Sequence, residues 1–226
     1  MSAEQKKLVC FLCRVPSKFD VKHQSYKNKK EKQYLCGRKV QEKRIMEDRL
    51  TYTTERYTAE IDAKTYIEKF RNADYFVTLC QQCHNYGRRY GCPPFDGDTL
   101  ATIDKYERVR ILGIKITPKD RSLPLEAAND LMKPVIDEMN KELLETEKSL
   151  SGMCFGFVGT CPYCGGATCA RIEGKPCKHP DKVRPSLEAY GFDISKTARD
   201  LLGLEIKWSE QGKIPEYLTL VCGIFY

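Results

Sequence analysis

Four cysteines fall within seventeen residues, in a stretch that reads Cys161-Pro162-Tyr163-Cys164-Gly165-Gly166-Ala167-Thr168-Cys169 and runs on through Gly174-Lys175-Pro176-Cys177-Lys178-His179-Pro180. The glycines permit the tight reversals by which Cys161, Cys164, Cys169 and Cys177 can face one point. Thiolates are soft, strongly donating ligands, so grouped cysteines select zinc, copper(I) or iron–sulfur clusters over magnesium or calcium. Zinc fingers usually offer two C-x2-C knuckles, whereas this loop has one followed by single cysteines. Loops that bind clusters gather singles in this way and tend to follow one with proline. The expected cofactor is therefore an iron–sulfur cluster of the 4Fe–4S type, one or two per chain, with zinc as the alternative.

A second loop stands earlier, Cys80-Gln81-Gln82-Cys83-His84-Asn85-Tyr86-Gly87-Arg88-Arg89-Tyr90-Gly91-Cys92-Pro93-Pro94. It supplies three cysteines, Cys80, Cys83 and Cys92, the last followed by proline. A fourth ligand from Cys154, Cys222 or His84 would close the site for structure or electron transfer. Without one, an open iron could bind a small anionic substrate as a Lewis acid. Cys154 and Cys222 lie in apolar runs, where a lone cysteine is more often a small buried hydrophobe. Arg88 and Arg89 beside this loop, and Arg171, Lys175, Lys178 and Arg184 beside the other, either clamp an anionic substrate or offset the negative charge of a thiolate-ligated cluster. Charge compensation is the preferred account. His84 and His179 are expected as donors to cluster sulfur or backbone rather than as ligands. No phosphate-binding loop, dinucleotide fingerprint or zinc-hydrolase motif is present, so no familiar enzyme class is favoured and catalytic residues stay unassigned.

Cys80, Cys83, Tyr86, Gly87 and Cys92-Pro93-Pro94, followed by Cys161, Cys164, Cys169, Gly174, Pro176, Cys177, His179, Pro180, the run Arg184 to Gly191 and Asp193, resemble the signature of a family of predicted metal-binding proteins, domain of unknown function 2284. The resemblance covers about residues 52–226. It implies metal, iron–sulfur in the first instance, and a family with many members in anaerobes; it implies no reaction.

The elements that must carry these loops follow from composition and periodicity. The 226 residues, 41% hydrophobic and 31% charged, suit a globular chain with its own core. No stretch approaches the ~18 uninterrupted apolar residues of a membrane span. The N-terminus lacks a secretory apolar region, and twelve cysteines in a chain of this length fit metal binding in a reducing compartment, the cytoplasm, better than a disulfide scaffold. Residues 1–50 hold 14 Lys/Arg against 6 Asp/Glu and read as a basic arm containing Cys10, Cys13 and Cys36; the remainder is balanced at 24 against 25. With few interleaved aromatics, the arm reads as solvated, and nucleic acid is not the favoured partner. A redox protein is.

Residues 51–226 form the metal-binding domain. Tyr52 to Ile61 reads as a strand, Ala63 to Phe70 as a helix capped by Asp62, and Tyr75 to Leu79 as a short strand entering the first loop. Then come a short helix from Asp98 to Tyr106, a central strand from Arg108 to Thr117, and a long helix to about Ser149, capped at Ser122 and kinked at Pro134. Met153 to Val158 reads as a strand entering the second loop, Arg184 to Gly191 as a capped turn, Asp193 to Leu202 as a helix, and Glu216 to Tyr226 as a buried strand. The expected class is α+β, a mixed sheet of about five strands with packed helices. The shared order of helix, short strand and cysteine loop suggests a structural duplication with halves 51–118 and 119–226.

Overall fold

A computed structural model describes residues 49–156, 161–164 and 168–226. The basic arm, with Cys10, Cys13 and Cys36, lies outside the described residues apart from Arg49 and Leu50. The frame is a sheet of β1 (Tyr52–Asp62), β2 (Arg108–Pro118), β3 (Met153–Phe155) and β4 (Leu218–Phe225), in the order β1-β2-β4-β3. All three pairings are antiparallel. β1 aligns with β2 from Tyr52 opposite Pro118 to Asp62 opposite Arg108. β2 aligns with β4 from Val109 opposite Phe225 to Ile116 opposite Leu218, and β3 covers only the end of β4, Met153 to Phe155 opposite Phe225 to Gly223. The expected mixed sheet of about five strands is thus an antiparallel sheet of four among the described residues.

The two-residue alternation of strands assigns each core residue to a face. Leu112, Ile114, Ile116, Leu218, Leu220, Cys222, Ile224 and Cys154 point to one side, where they meet the apolar stripe of α4 (Ala127–Leu150): Ala128, Leu131, Met132, Val135, Met139 and Leu143. Val109, Ile111, Val221, Phe225 and Phe155 point to the other, under α1 (Ala63–Phe70) and α5 (Ile194–Leu202). There Tyr66 stacks on Phe192 with ring centroids 4.7 Å apart, and Phe155 and Phe225 pack edge-on at 5.4 Å. Among the described residues no helix is long and apolar enough to cross a membrane.

Two expected helix features hold: Asp62 accepts the Thr65 amide at 2.7 Å, and Asp193 accepts that of Lys196 at 2.8 Å. Two others do not. The run Tyr75 to Leu79 is not a strand but the body of α2 (Ala73–Cys80), started by the Asn72 side chain accepting the Tyr75 amide at 3.2 Å. Phe76 and Leu79, three apart, are its buried residues, and so short an apolar run carries no period to tell helix from strand. The long helix starts at Ala127 rather than at Ser122. Ser122 instead turns onto the Asp120 carboxylate, and the backbone of Leu123 and Leu125 pairs with Ile214 and Gly212. Those bonds hold Pro124 in a bridge to Lys213, and a turn at Leu125 and Glu126 leads into α4. α4 then continues unbroken past Pro134.

The duplication is not carried by these elements. A helix, α2, leads into the first cysteine loop and a strand, β3, into the second.

Candidate metal centre

The first loop hangs from the last residue of α2, Cys80, and is a chain of turns with no helix or strand until α3 (Thr99–Ile103). The Cys83 amide donates to the Cys80 carbonyl at 2.9 Å and the Tyr86 amide to that of Cys83 at 3.1 Å. Gly87, at a φ of +67°, donates to the Pro93 carbonyl at 2.8 Å and folds the far limb back. Cys83 packs against Phe76 and Leu79 of α2. The platform beneath is stitched to the segment that follows the second loop. The Asn72 amide donates to the Gly191 carbonyl at 2.7 Å, the Asp193 amide to that of Phe70 at 2.9 Å, and the Arg71 guanidinium to the Tyr190 carbonyl at 2.9 Å.

The second loop leaves the sheet at Phe155. Its described parts are Cys161 to Cys164 and Thr168 onward, including a 3-10 turn, Ala170–Glu173, closed by Gly174 at a φ of +66°. Both ends of this loop are held by one carboxylate. Glu147, near the end of α4, accepts the Cys154 amide at 2.7 Å and pairs with Arg184 through Nε at 2.9 Å and Nη2 at 2.5 Å. Burial works against the charge of Glu147, but Arg184 and Cys154 hold its carboxyl below the ordinary carboxylate range.

Two of the candidate ligands share a local geometry, in which the amide two residues on turns back to the sulfur. Cys83 Sγ accepts the Asn85 amide at 3.5 Å and Cys177 Sγ that of His179 at 3.4 Å. Such donors stabilise the thiolate over the thiol. Burial pushes the Cys161 thiol up, the Tyr163 amide opposes this, and the neighbouring Cys164, Cys169 and Cys177 push it further. Cys161 is thus within electrostatic reach of the other three candidate ligands of its loop. Among the described residues, no three His, Cys, Asp or Glu side chains are drawn close enough to hold an ion. The donor set, soft thiols with amides aimed at sulfur, fits a thiophilic metal.

The basic residues beside the loops have named partners. Arg184 is committed to Glu147 and to the Pro180 and Val183 carbonyls. Arg171 reaches across to the first loop, donating to the carbonyls of Arg89 at 2.7 Å, Cys92 at 2.6 Å and Pro94. Arg89 is half-buried, with Nε donating to Asn85 Oδ1 at 3.4 Å, while Arg88 and His84 are exposed. The His179 ring lies half-buried, 6.2 Å from that of Tyr163.

Cys154 and Cys222 are buried on the sheet face under α4. The first loop runs on from α2 toward the opposite face, where Phe95 packs against Tyr190 at 5.0 Å. Cys222 Sγ donates to the Leu112 carbonyl at 3.7 Å, and burial pushes both thiols up. They are core residues rather than ligands of the first loop.

Sequence reasoning missed Glu147 and the reach of Arg171. Both act on backbone groups, which carry no residue identity; the only sequence signal was an acidic residue near the helix end and an arginine two residues past a cysteine.

The molecule is therefore an α+β protein carrying two cysteine-rich loops joined by hydrogen bonds. A family model described as "Predicted metal-binding protein (DUF2284)" matches residues 64–225, and the chain belongs to that family. Neither curated proteins nor solved structures gave a match.

Proposed function

We propose that the chain is an iron–sulfur protein in which Cys161, Cys164, Cys169 and Cys177 hold one cluster, of the 4Fe–4S type, and Cys80, Cys83 and Cys92 contribute to a second, for redox chemistry with a partner protein in a reducing compartment such as the cytoplasm. The observation that carries this reading is the amide directed at sulfur from two residues on at Cys83 and Cys177, one candidate ligand in each loop. Hydrogen bonds of this kind to ligand sulfur stabilise thiolate charge and tune cluster potential. When bound, a cluster would supply reversible one-electron transfer. The chain's own residues would hold it by thiolate ligation and direct amide dipoles at the sulfurs.

A second reading has support at the first loop alone. With Cys154 and Cys222 turned to the other face of the sheet, this loop brings three cysteines and no fourth from those two. A site of that kind leaves a coordination position for a small anion, beside Arg88 and Arg89. A zinc-stabilised binding module is the third.

Anaerobic purification followed by iron, acid-labile sulfide and zinc assays and a visible spectrum separates these readings. Iron and sulfide in a coloured protein are expected. A colourless protein with stoichiometric zinc and no sulfide rules out both iron readings. Spectral change on adding small anions selects the open site, and inertness selects the electron carrier.

A further inference from the structure

We infer that Arg171 is a positioning residue that makes the two cysteine loops one ligand system, so that filling the second loop strengthens metal capture by the first. This rests on the reading of both loops as thiolate metal sites. Arg171 stands two residues past Cys169 in the Ala170–Glu173 turn, whose first residue is buried. Its guanidinium donates to the carbonyls of Arg89, Cys92 and Pro94, so the fork closes on both sides of one candidate ligand, Cys92, and on its own carbonyl. A return contact comes from the first loop, where the Tyr90 hydroxyl donates to the Lys175 carbonyl at 2.5 Å, between Cys169 and Cys177. The Arg171 guanidinium also lies 5.8 Å from the centre of the Tyr90 ring.

The first loop needs this support. No helix or strand holds residues 81–98, and the far limb bearing Cys92 folds back on the near limb through the bond from the Gly87 amide to the Pro93 carbonyl. A planar guanidinium with several fixed donors sets the relative positions of three carbonyls in a way that a point charge cannot. When Cys169 is drawn onto a metal, the 3-10 turn beginning at its neighbour Ala170 carries Arg171 with it, and Cys92 is set in place. The role assigned by sequence, cancelling cluster charge, does not explain why the donors are directed at carbonyls.

The test titrates the reduced, metal-free chain with cobalt(II) under anaerobic conditions, reading thiolate-to-cobalt charge-transfer absorbance. Cys164→Ser removes a ligand of the second loop, and Cys80→Ser assigns the signal of the first. In the wild type the second loop is expected to fill first. Arg171→Gln should leave second-loop uptake in place and weaken the first loop about 10- to 100-fold, the usual cost of losing a residue that orients a ligand. Arg171→Lys should restore little of it.

The decisive comparison is the double variant Cys164→Ser/Arg171→Gln. If Arg171 transmits the state of the second loop, the double variant binds at the first loop no more weakly than Cys164→Ser alone. A passive anchor would give additive losses, and additivity, or an unchanged first loop in Arg171→Gln, overturns the inference. Should Arg171→Gln lose its cooperative thermal transition, Tyr90→Phe, which cuts the tie from the other side, must show the same non-additivity. Failure to take up cobalt on thiols in the wild type overturns the metal reading and this inference with it. Uptake with additive losses overturns this inference alone.

Discussion

Glu147 and Arg184 meet through three contacts, Nη2 to Oε1 at 2.5 Å, Nε to Oε2 at 2.9 Å and Nε to Oε1 at 3.0 Å, and the same carboxylate receives the Cys154 amide at 2.7 Å. One side chain on α4 therefore fixes the chain where it enters the second cysteine loop and where it leaves. The pair is largely withdrawn from solvent, with side-chain exposures of 14% for Glu147 and 23% for Arg184, so it is not the surface type that contributes little. Glu147→Gln should destabilise the fold by about 1–3 kcal/mol, because it weakens a charge-assisted pair and leaves Arg184 without its counter-charge. Urea unfolding of the metal-free protein measures this, and an unchanged midpoint would exclude the clamp.

Acid should act through a different pair. The Asp120 carboxyl is held down to about 2 by the Arg49 guanidinium, 2.5 Å away, and then by the Ser122 hydroxyl and amide. A carboxyl depressed in the folded state contributes stability that is complete above its unfolded value near 4 and disappears as pH falls through the folded value. Stability should thus fall as pH drops from about 4 to about 2, and Asp120→Asn should flatten that part of the profile by lowering stability in the neutral region, where the Asp120 contribution is complete, the two proteins converging near pH 2. Thermal melts across this range provide the measurement; parallel profiles for wild type and variant would show that Asp120 is not responsible. Arg49 and Asp120 are partly exposed, so salt should weaken the effect.

Gly191 and Gly174 offer a contrast between two left-handed glycines. At Gly191, with a φ of +89°, an added Cβ would lie 2.6 Å from Ala73 Cα, at the start of the helix that ends in Cys80. At Gly174, with a φ of +66°, it would meet open space. Gly174→Ala should cost about 1 kcal/mol, from backbone conformation alone. Gly191→Ala should cost more than about 2 kcal/mol, because strain adds to a backbone clash that no side chain can relieve. It should also reduce metal uptake at Cys80 and Cys83, since α2 has to move. Equal unfolding midpoints for the two variants would contradict the close approach.

Much of the fold was legible where local chemistry decides the outcome. Asp62 and Asp193 announce helix starts, and the β-branched and apolar runs of β2 and β4 announce buried strands. Where tertiary bonds compete, the local signal loses. Ser122 has the chemistry of a cap, but Asp120 holds its side chain, while Gly212 and Ile214 bind the backbone that follows. The run Tyr75 to Leu79 is too short for its period to speak, and Asn72 decides for the helix. At the site, cysteine types and spacing named the candidate ligands. The partners that position them, the carbonyls of Arg89, Cys92 and Pro94 and the amide of Cys154, are backbone atoms that no residue pattern reveals.

Ligand thiols and core thiols should respond oppositely to substitution. Cys222 is fully buried under α4, its thiol is pushed up by burial, and its sulfur donates to the Leu112 carbonyl. Cys161 is half-buried and has three other thiols within electrostatic reach. Cys222→Ala should therefore keep the full metal content of the wild type and lose about 1–2 kcal/mol of stability from the space left behind. Cys161→Ser should do the opposite in the isolated protein, losing one metal centre while the metal-free fold stays near wild-type stability, because Cys161 is half-buried where Cys222 is fully buried. Metal content per chain and unfolding of the stripped proteins give both numbers from the same samples. Loss of metal in Cys222→Ala, with retention in Cys161→Ser, would reverse the assignment and make Cys222 the ligand.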